Sequence, residues 1–201
     1  MGKKPDSLKF DEAFDFFNKS LFDNSLDKPV ITFQRRRNAR GYFCPDRYIS
    51  KETGRKNHEL ALNPDMFERD DKEVLSTLVH EMVHQWQNQF GRPSRGGYHN
   101  TEWAEKMDEV GLSPVGPNGQ RTGPKMSHEI VDGDQFDICA NNLIDGGFKI
   151  DWASFMVEAV KKPKSKVKYT CHACKVNAWA KPETKLICGE CENVMESEDD
   201  V

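Results

Sequence analysis

A chain of 201 residues can bury one sizeable core and at most one small module beside it. Hydrophobic residues make up 36% and charged residues 31% of it; no apolar run approaches a membrane span and no basic, apolar leader opens it, so a soluble cytoplasmic protein is expected. The formal net charge of -4 conceals an acidic end, because Glu192, Glu196, Glu198, Asp199 and Asp200 stand there without a base, and the remainder balances at +1 with room only for local basic patches.

Phe10, Phe14, Phe17 and Leu21 recur at helical spacing behind Ser7, a candidate N-cap, and predict an amphipathic helix over residues 8 to 26 with the phenylalanines inward. Val30 to Phe33, Gly41 to Cys44 and His58 to Leu62 follow as three short segments divided by polar turns. They predict a small antiparallel sheet with His58 on its surface. Between the first two runs a basic cluster, Arg35, Arg36, Arg37 and Arg40, whose ordinary meaning is a solvated edge.

Val74, Leu75, Leu78, Val79, Met82, Val83 and Trp86 form a broad apolar face behind Asp70 and Asp71, so a buried helix is expected there, ending at Gly91. Another helix should run from Thr101 to Val110, with Trp103 and Met107 inward and Gly111 as its stop. Residues 113–125 hold three prolines and three glycines and read as a loop. A strand from Ser127 to Val131, a short helix from Phe136 to Leu143 and a strand from Phe148 to Trp152 complete the main domain. Cys44 and Cys139 are expected as buried, reduced, apolar side chains.

His80-Glu81-Met82-Val83-His84 places an HExxH pattern on the buried helix. Positions four apart stand one turn above each other, so both imidazoles reach one tetrahedral ion while Glu81 points beside its open coordination site. A third ligand must come from a later element that returns to the helix. His99, fifteen residues beyond His84 and after a glycine-rich turn, is the favoured candidate, with Glu102 as the competitor. A glycine and a histidine at three-residue steps after His84 are absent, since Gln87 and Phe90 stand there. Such a centre implies amide hydrolysis with zinc activating water and Glu81 as general base. Tyr98 and His128 are candidates for stabilising an oxyanion, although an ordinary hydrogen-bonded role is the simpler reading of each.

Cys171, Cys174, Cys188 and Cys191 form two CxxC pairs thirteen residues apart, the spacing of a closed four-thiolate structural zinc site. A redox dithiol would explain one pair and not two. So short a module has little core, and its metal should stabilise its fold. Lys161, Lys162, Lys164, Lys166 and Lys168 precede it as a basic linker suited to nucleic-acid phosphates or to plain solvation.

Leu78 to His84, Tyr98-His99-Asn100 with Glu102-Trp103, and the cysteine pairs together resemble the SprT-like family of minimal zincins, to which the DNA–protein crosslink protease Spartan belongs. Asn100 stands where many members have glycine. The resemblance implies an α+β fold in which helices pack on a small sheet, followed by a small zinc ribbon. It implies His99 as third ligand and two zinc ions, one catalytic and one structural. The expected organisation is a main domain over 1–160, the basic linker 161–168, the ribbon 169–195 and an acidic tail 196–201. The expected function is a zinc metallopeptidase recruited to DNA, single-stranded DNA being favoured, to cut bound proteins. The alternative is a non-proteolytic DNA- or transcription-associated zinc factor.

Overall fold

The computed structural model describes residues 6–151 and 165–197 of a chain that divides into two compact units, 1–155 and 156–201. Trp152, Lys161, Lys162, Lys164 and residues 198–201 lie outside the described residues. Among the described residues no helix is long and apolar enough to cross a membrane.

The first unit mixes helix and strand. Helix α1 (Asp6–Leu21) begins before Ser7, so that residue lies inside the helix rather than capping it, and it stops five residues short of the predicted end. Phe10, Phe14 and Phe17 are wholly buried. Each such side chain contributes about 1.5–3 kcal/mol by leaving water. Phe10 stacks on Phe67 at 5.4 Å between centroids and Phe17 on Phe136 at 5.7 Å.

Strands β1 (Val30–Phe33), β2 (Gly41–Ile49) and β3 (Lys56–Leu62) form a sheet in the order β1-β3-β2. The sheet is mixed rather than antiparallel: β2 pairs β3 antiparallel through a tight turn, whereas β1 lies parallel to β3. Parallel pairing needs a crossover, and here the long β2 excursion supplies it. Leu60 and Leu62 face the core, while Glu59 on the opposite face is buried under Thr32, Tyr42 and Tyr48, whose hydroxyls all donate to its carboxylate at 2.8–3.1 Å.

Helix α2 (Asp71–Phe90) is the central element. Asp70 caps it by accepting from the Lys72 N–H, and Gly91 ends it. Nearly everything from Val74 to Val83 is buried, polar residues included, which marks a helix surrounded by protein on most sides. Helix α3 (Thr101–Glu109) starts at Asn100, whose side chain accepts from the Trp103 N–H at 3.0 Å. Gly111 follows it with φ of 88° and with the Phe136 backbone nitrogen 2.8 Å from where a Cβ would stand, so glycine is required there twice over.

The stretch expected to be loop is partly strand. Leu112–Val115 (β5) pairs with Ser127–Ile130 (β7), and Gly123–Pro124 (β6) pairs with Tyr98–His99 (β4), both antiparallel. Two-stranded ribbons are all edge, and an edge tolerates Pro114 and Pro124 where a central strand would not. Helix α4 (Gln135–Asp145) is longer than predicted. Residues 148–151 form no strand; they are pinned instead by side chains, with Lys9 Nζ donating to the Lys149 carbonyl at 2.7 Å and to Asp151 at 2.8 Å. Cys44 and Cys139 are free thiols, half-buried rather than buried.

The second unit is a four-stranded antiparallel sheet, in the order β10 (Leu186–Ile187), β11 (Val194–Ser197), β8 (Val167–Thr170), β9 (Asn177–Ala180). Its buried core is Val167, Tyr169, Cys171, Cys188 and Met195.

Candidate metal centres

His80 and His84 lie one turn apart on α2, and β4 brings His99 to them. The three residues offer ring nitrogens that all lie within 4.8 Å of one another. His84 Nε2 and His99 Nε2 are 3.1 Å apart. Two nitrogens on a tetrahedral zinc, at about 2.0–2.1 Å each, would stand about 3.3 Å apart, so the pair fits such an ion.

His99 owes its place to the β4–β6 pairing, in which it faces Gly123. Its Nδ1 lies 3.2 Å from the Gly123 carbonyl. A carbonyl only accepts, so Nδ1 carries the hydrogen and Nε2 keeps its lone pair. Trp103, wholly buried, forms the floor, with its ring 5.0, 5.5 and 4.2 Å from those of His80, His84 and His99. Burial drives His80 well below the usual histidine range and His84 to about 3, with neighbouring imidazoles adding to both. Neutral imidazole is the form that binds metal.

Glu81 is 5% exposed and sits where α2 meets the edge of β2. Gly41 makes that approach feasible: a Cβ there would stand 2.9 Å from the Ala61 carbonyl and 3.0 Å from Glu81 Oε1. Burial pushes the Glu81 carboxyl up to about 8, against the opposing pull of a hydrogen bond donated by the Phe43 N–H. Without a cation beside it, a carboxyl held in that range is largely protonated at neutral pH, and a positive charge at the neighbouring imidazoles would favour its ionised form.

Glu102 is engaged elsewhere. Its carboxylate accepts from Gln87 Nε2 at 2.8 Å and from the Arg92 N–H at 2.7 Å, closing the turn that leaves α2. Asn100 supports the same turn, accepting from Gln87 and donating to the Arg92 carbonyl. Tyr98 is half exposed. His128, on β7, is brought to the centre in a way the sequence did not reveal: its Nδ1 is 3.0 Å from His80 Nδ1 and its Nε2 is 2.8 Å from Ser76 Oγ. Burial, then Arg40 and Arg69, lowers it to about 4. The only hint in the sequence was a histidine in an expected strand close behind the elements that carry His80, His84 and His99.

In the second unit Cys171, Cys174, Cys188 and Cys191 offer sulfurs within 4.8 Å of one another. Two matching turns present them. The Lys175 N–H donates to the Cys171 carbonyl and the Glu192 N–H to the Cys188 carbonyl, both at 2.8 Å, and Lys175 and Glu192 are left-handed at φ 62° and 55°. A hydrogen bond from the Cys174 N–H lowers the Cys171 thiol to about 7, while contact with the Cys174 thiol pushes Cys191 up to about 12. Without metal the cluster therefore shares out its protons, and a cation would displace them. His172 lies outside the group and pairs with Glu196 at 2.8 Å.

Of the basic residues, Lys166 is exposed, and Lys168 pairs across the ladder with Trp179, which is 62% exposed. Arg35 bonds Asp65, and Arg36 lies over the Tyr42 ring.

Comparison with known proteins gives two matches. A model of the SprT-like family matches residues 10–128. An uncharacterized protein in the mucB 3′ region of Salmonella typhimurium is 43% identical over 42 residues, which are 21% of this chain and 57% of that protein. No solved structure matches.

Proposed function

The chain belongs to the SprT-like family, and from that premise we propose that it is a zinc-dependent metallopeptidase. The observation that carries this reading is the convergence of three neutral imidazoles, His80, His84 and His99, beside the buried carboxylate of Glu81. When bound there, zinc would acidify a water and polarise the scissile carbonyl. Glu81 would take the proton of the attacking water and deliver it to the leaving amine, and the Phe43 N–H would hold its carboxylate in place through that exchange. The four cysteines would hold a second, structural zinc, with no coordination position left for substrate.

The proposed substrates are proteins bound to DNA. The support is an exposed Trp179 beside Lys168 on the sheet of the second unit, with Lys166 two residues before Lys168 in the chain, since an exposed aromatic face among cations takes stacked bases and phosphates. The test is proteolysis of a DNA-binding protein with and without single-stranded DNA, by the intact protein and by Glu81→Gln. Cleavage that needs zinc and Glu81 is expected. Cleavage by neither protein, with DNA binding intact in both, would favour a non-proteolytic zinc factor instead.

A further inference from the structure

The Glu73 carbonyl, Ser76, His128 and His80 form one hydrogen-bonded file from α2 to β7 and back, and counting its hydrogens sets the direction of every bond. Ser76 Oγ donates to the Glu73 carbonyl at 2.8 Å. A carbonyl only accepts and the hydroxyl has one hydrogen, so toward His128 the serine oxygen must accept. His128 Nε2, 2.8 Å from it, therefore carries a hydrogen. In a neutral ring the other nitrogen then holds a lone pair, and His128 Nδ1 accepts from His80 Nδ1 across 3.0 Å. His80 is left with its hydrogen on Nδ1 and a bare Nε2.

We propose that His128 is a positioning residue, which through Ser76 and the Glu73 carbonyl holds His80 in the one tautomer whose Nε2 is available to a metal ion. The proposal rests on the reading of His80, His84 and His99 as ligands. It gives His80 the same support that the Gly123 carbonyl gives His99 at 3.2 Å, with a side chain in place of the backbone. It also gives the β5–β7 ribbon a purpose: pairing His128 with Pro114 sets the residue opposite the middle of α2. The reverse file, with His128 donating to His80 Nδ1, would put the hydrogen of His80 on Nε2 and block the ion. For a neutral His128 that arrangement would take the Ser76 hydrogen away from the Glu73 carbonyl and break the 2.8 Å bond there. Groups of this kind, one bond removed from a metal, typically govern affinity by 10–100-fold.

The experiment records long-range nitrogen–proton NMR spectra of the histidine rings in the full chain, before and after zinc is added to the histidine centre, and measures zinc affinity there by chelator competition. Wild type should show His80 protonated on Nδ1 before any ion is present. His128→Phe should lose that single tautomer and bind zinc about 10–100-fold more weakly at the histidine centre, with the cysteine centre unchanged. His128→Gln, whose amide oxygen can accept from His80, should recover most of the loss. A His128→Phe protein with unchanged His80 tautomer and unchanged affinity would overturn the proposal. If that variant does not fold, Ser76→Ala removes only the hydroxyl; it should leave His80 in a mixture of tautomers, and a single Nδ1–H form there would equally refute the file. Failure of wild type to take zinc at the histidine centre would remove the ligand reading, whereas the tautomer in the zinc-free protein judges the file by itself.

Discussion

The two candidate metal centres have opposite relations to the fold that carries them. The histidines stand on a helix, a ribbon and a floor tryptophan that belong to a core of some two dozen buried side chains, Phe10 to Ala140. The cysteines belong to a core of five residues, of which Cys171 and Cys188 are themselves members. The first centre is prepared by folding; the second, when filled, completes folding. Where packing places the ligands, evolution can leave a coordination position open for chemistry, and where the ligands are the packing it cannot.

That contrast breaks most visibly on metal removal. Cys171→Ala should unfold residues 165–197 while the first unit keeps its helical signal, because zinc binding by such modules is worth about 10–16 kcal/mol of folding free energy. Amide NMR dispersion in each unit checks this, and a folded second unit in the variant would erase the distinction.

Next in size is His99→Ala. It should lower the metal content by one ion per chain and abolish proteolysis, while the first unit stays folded on its own core and loses only the stability that ion binding adds. Glu102→Ala should keep the ion. Metal analysis of both variants decides the third ligand.

Glu81→Gln should retain zinc and lose about 10²–10⁴-fold in turnover. It should also alter the zinc-free protein in a direction fixed by linkage. Glu81 titrates at about 8 in the fold against 4.5 when free, so its contribution is complete below 4.5 and is lost as pH rises through 8. His84, lowered from 6.5 to about 3, contributes stability that is present above 6.5 and lost as pH falls toward 3. Chelated wild type should therefore melt lower at both extremes, and the glutamine variant should lose only the alkaline decline. Melting curves across pH show whether it does.

The smallest effect concerns DNA. Trp179→Ala should weaken single-stranded DNA binding by about 1–3 kcal/mol per stacked base. Lys168→Ala should lower the salt slope by about 0.7. Unchanged affinity and slope in both would turn attention to Arg40 and Arg69 on the first unit.

Much of this was legible in the sequence because the signals were local. Helical spacing marked α1, α2 and α3, Asp70 and Asp71 marked the start of α2, and the cysteine pairs marked the second centre. What escaped was set by contacts between distant segments. Strand β7 was legible, but its partner β5 and the β6 partner of β4 were hidden in a run of prolines and glycines, since a two-stranded edge pairing leaves almost no local pattern. The parallel β1–β3 pair escaped as well, because three short strands divided by turns carry no local mark of which two run parallel. His128 could not be set beside His80 for the same reason: its place depends on the register of a ribbon that the sequence concealed.

Lys9 binds both the Lys149 carbonyl and the Asp151 carboxylate, so the first helix and the last described stretch of the first unit are clasped side by side. The order in which the chain visits its elements is then open to redesign. A short linker between residues 6 and 151, with new ends cut in the exposed turn at 51–54, would yield a circular permutant in which α2 and its histidines are untouched.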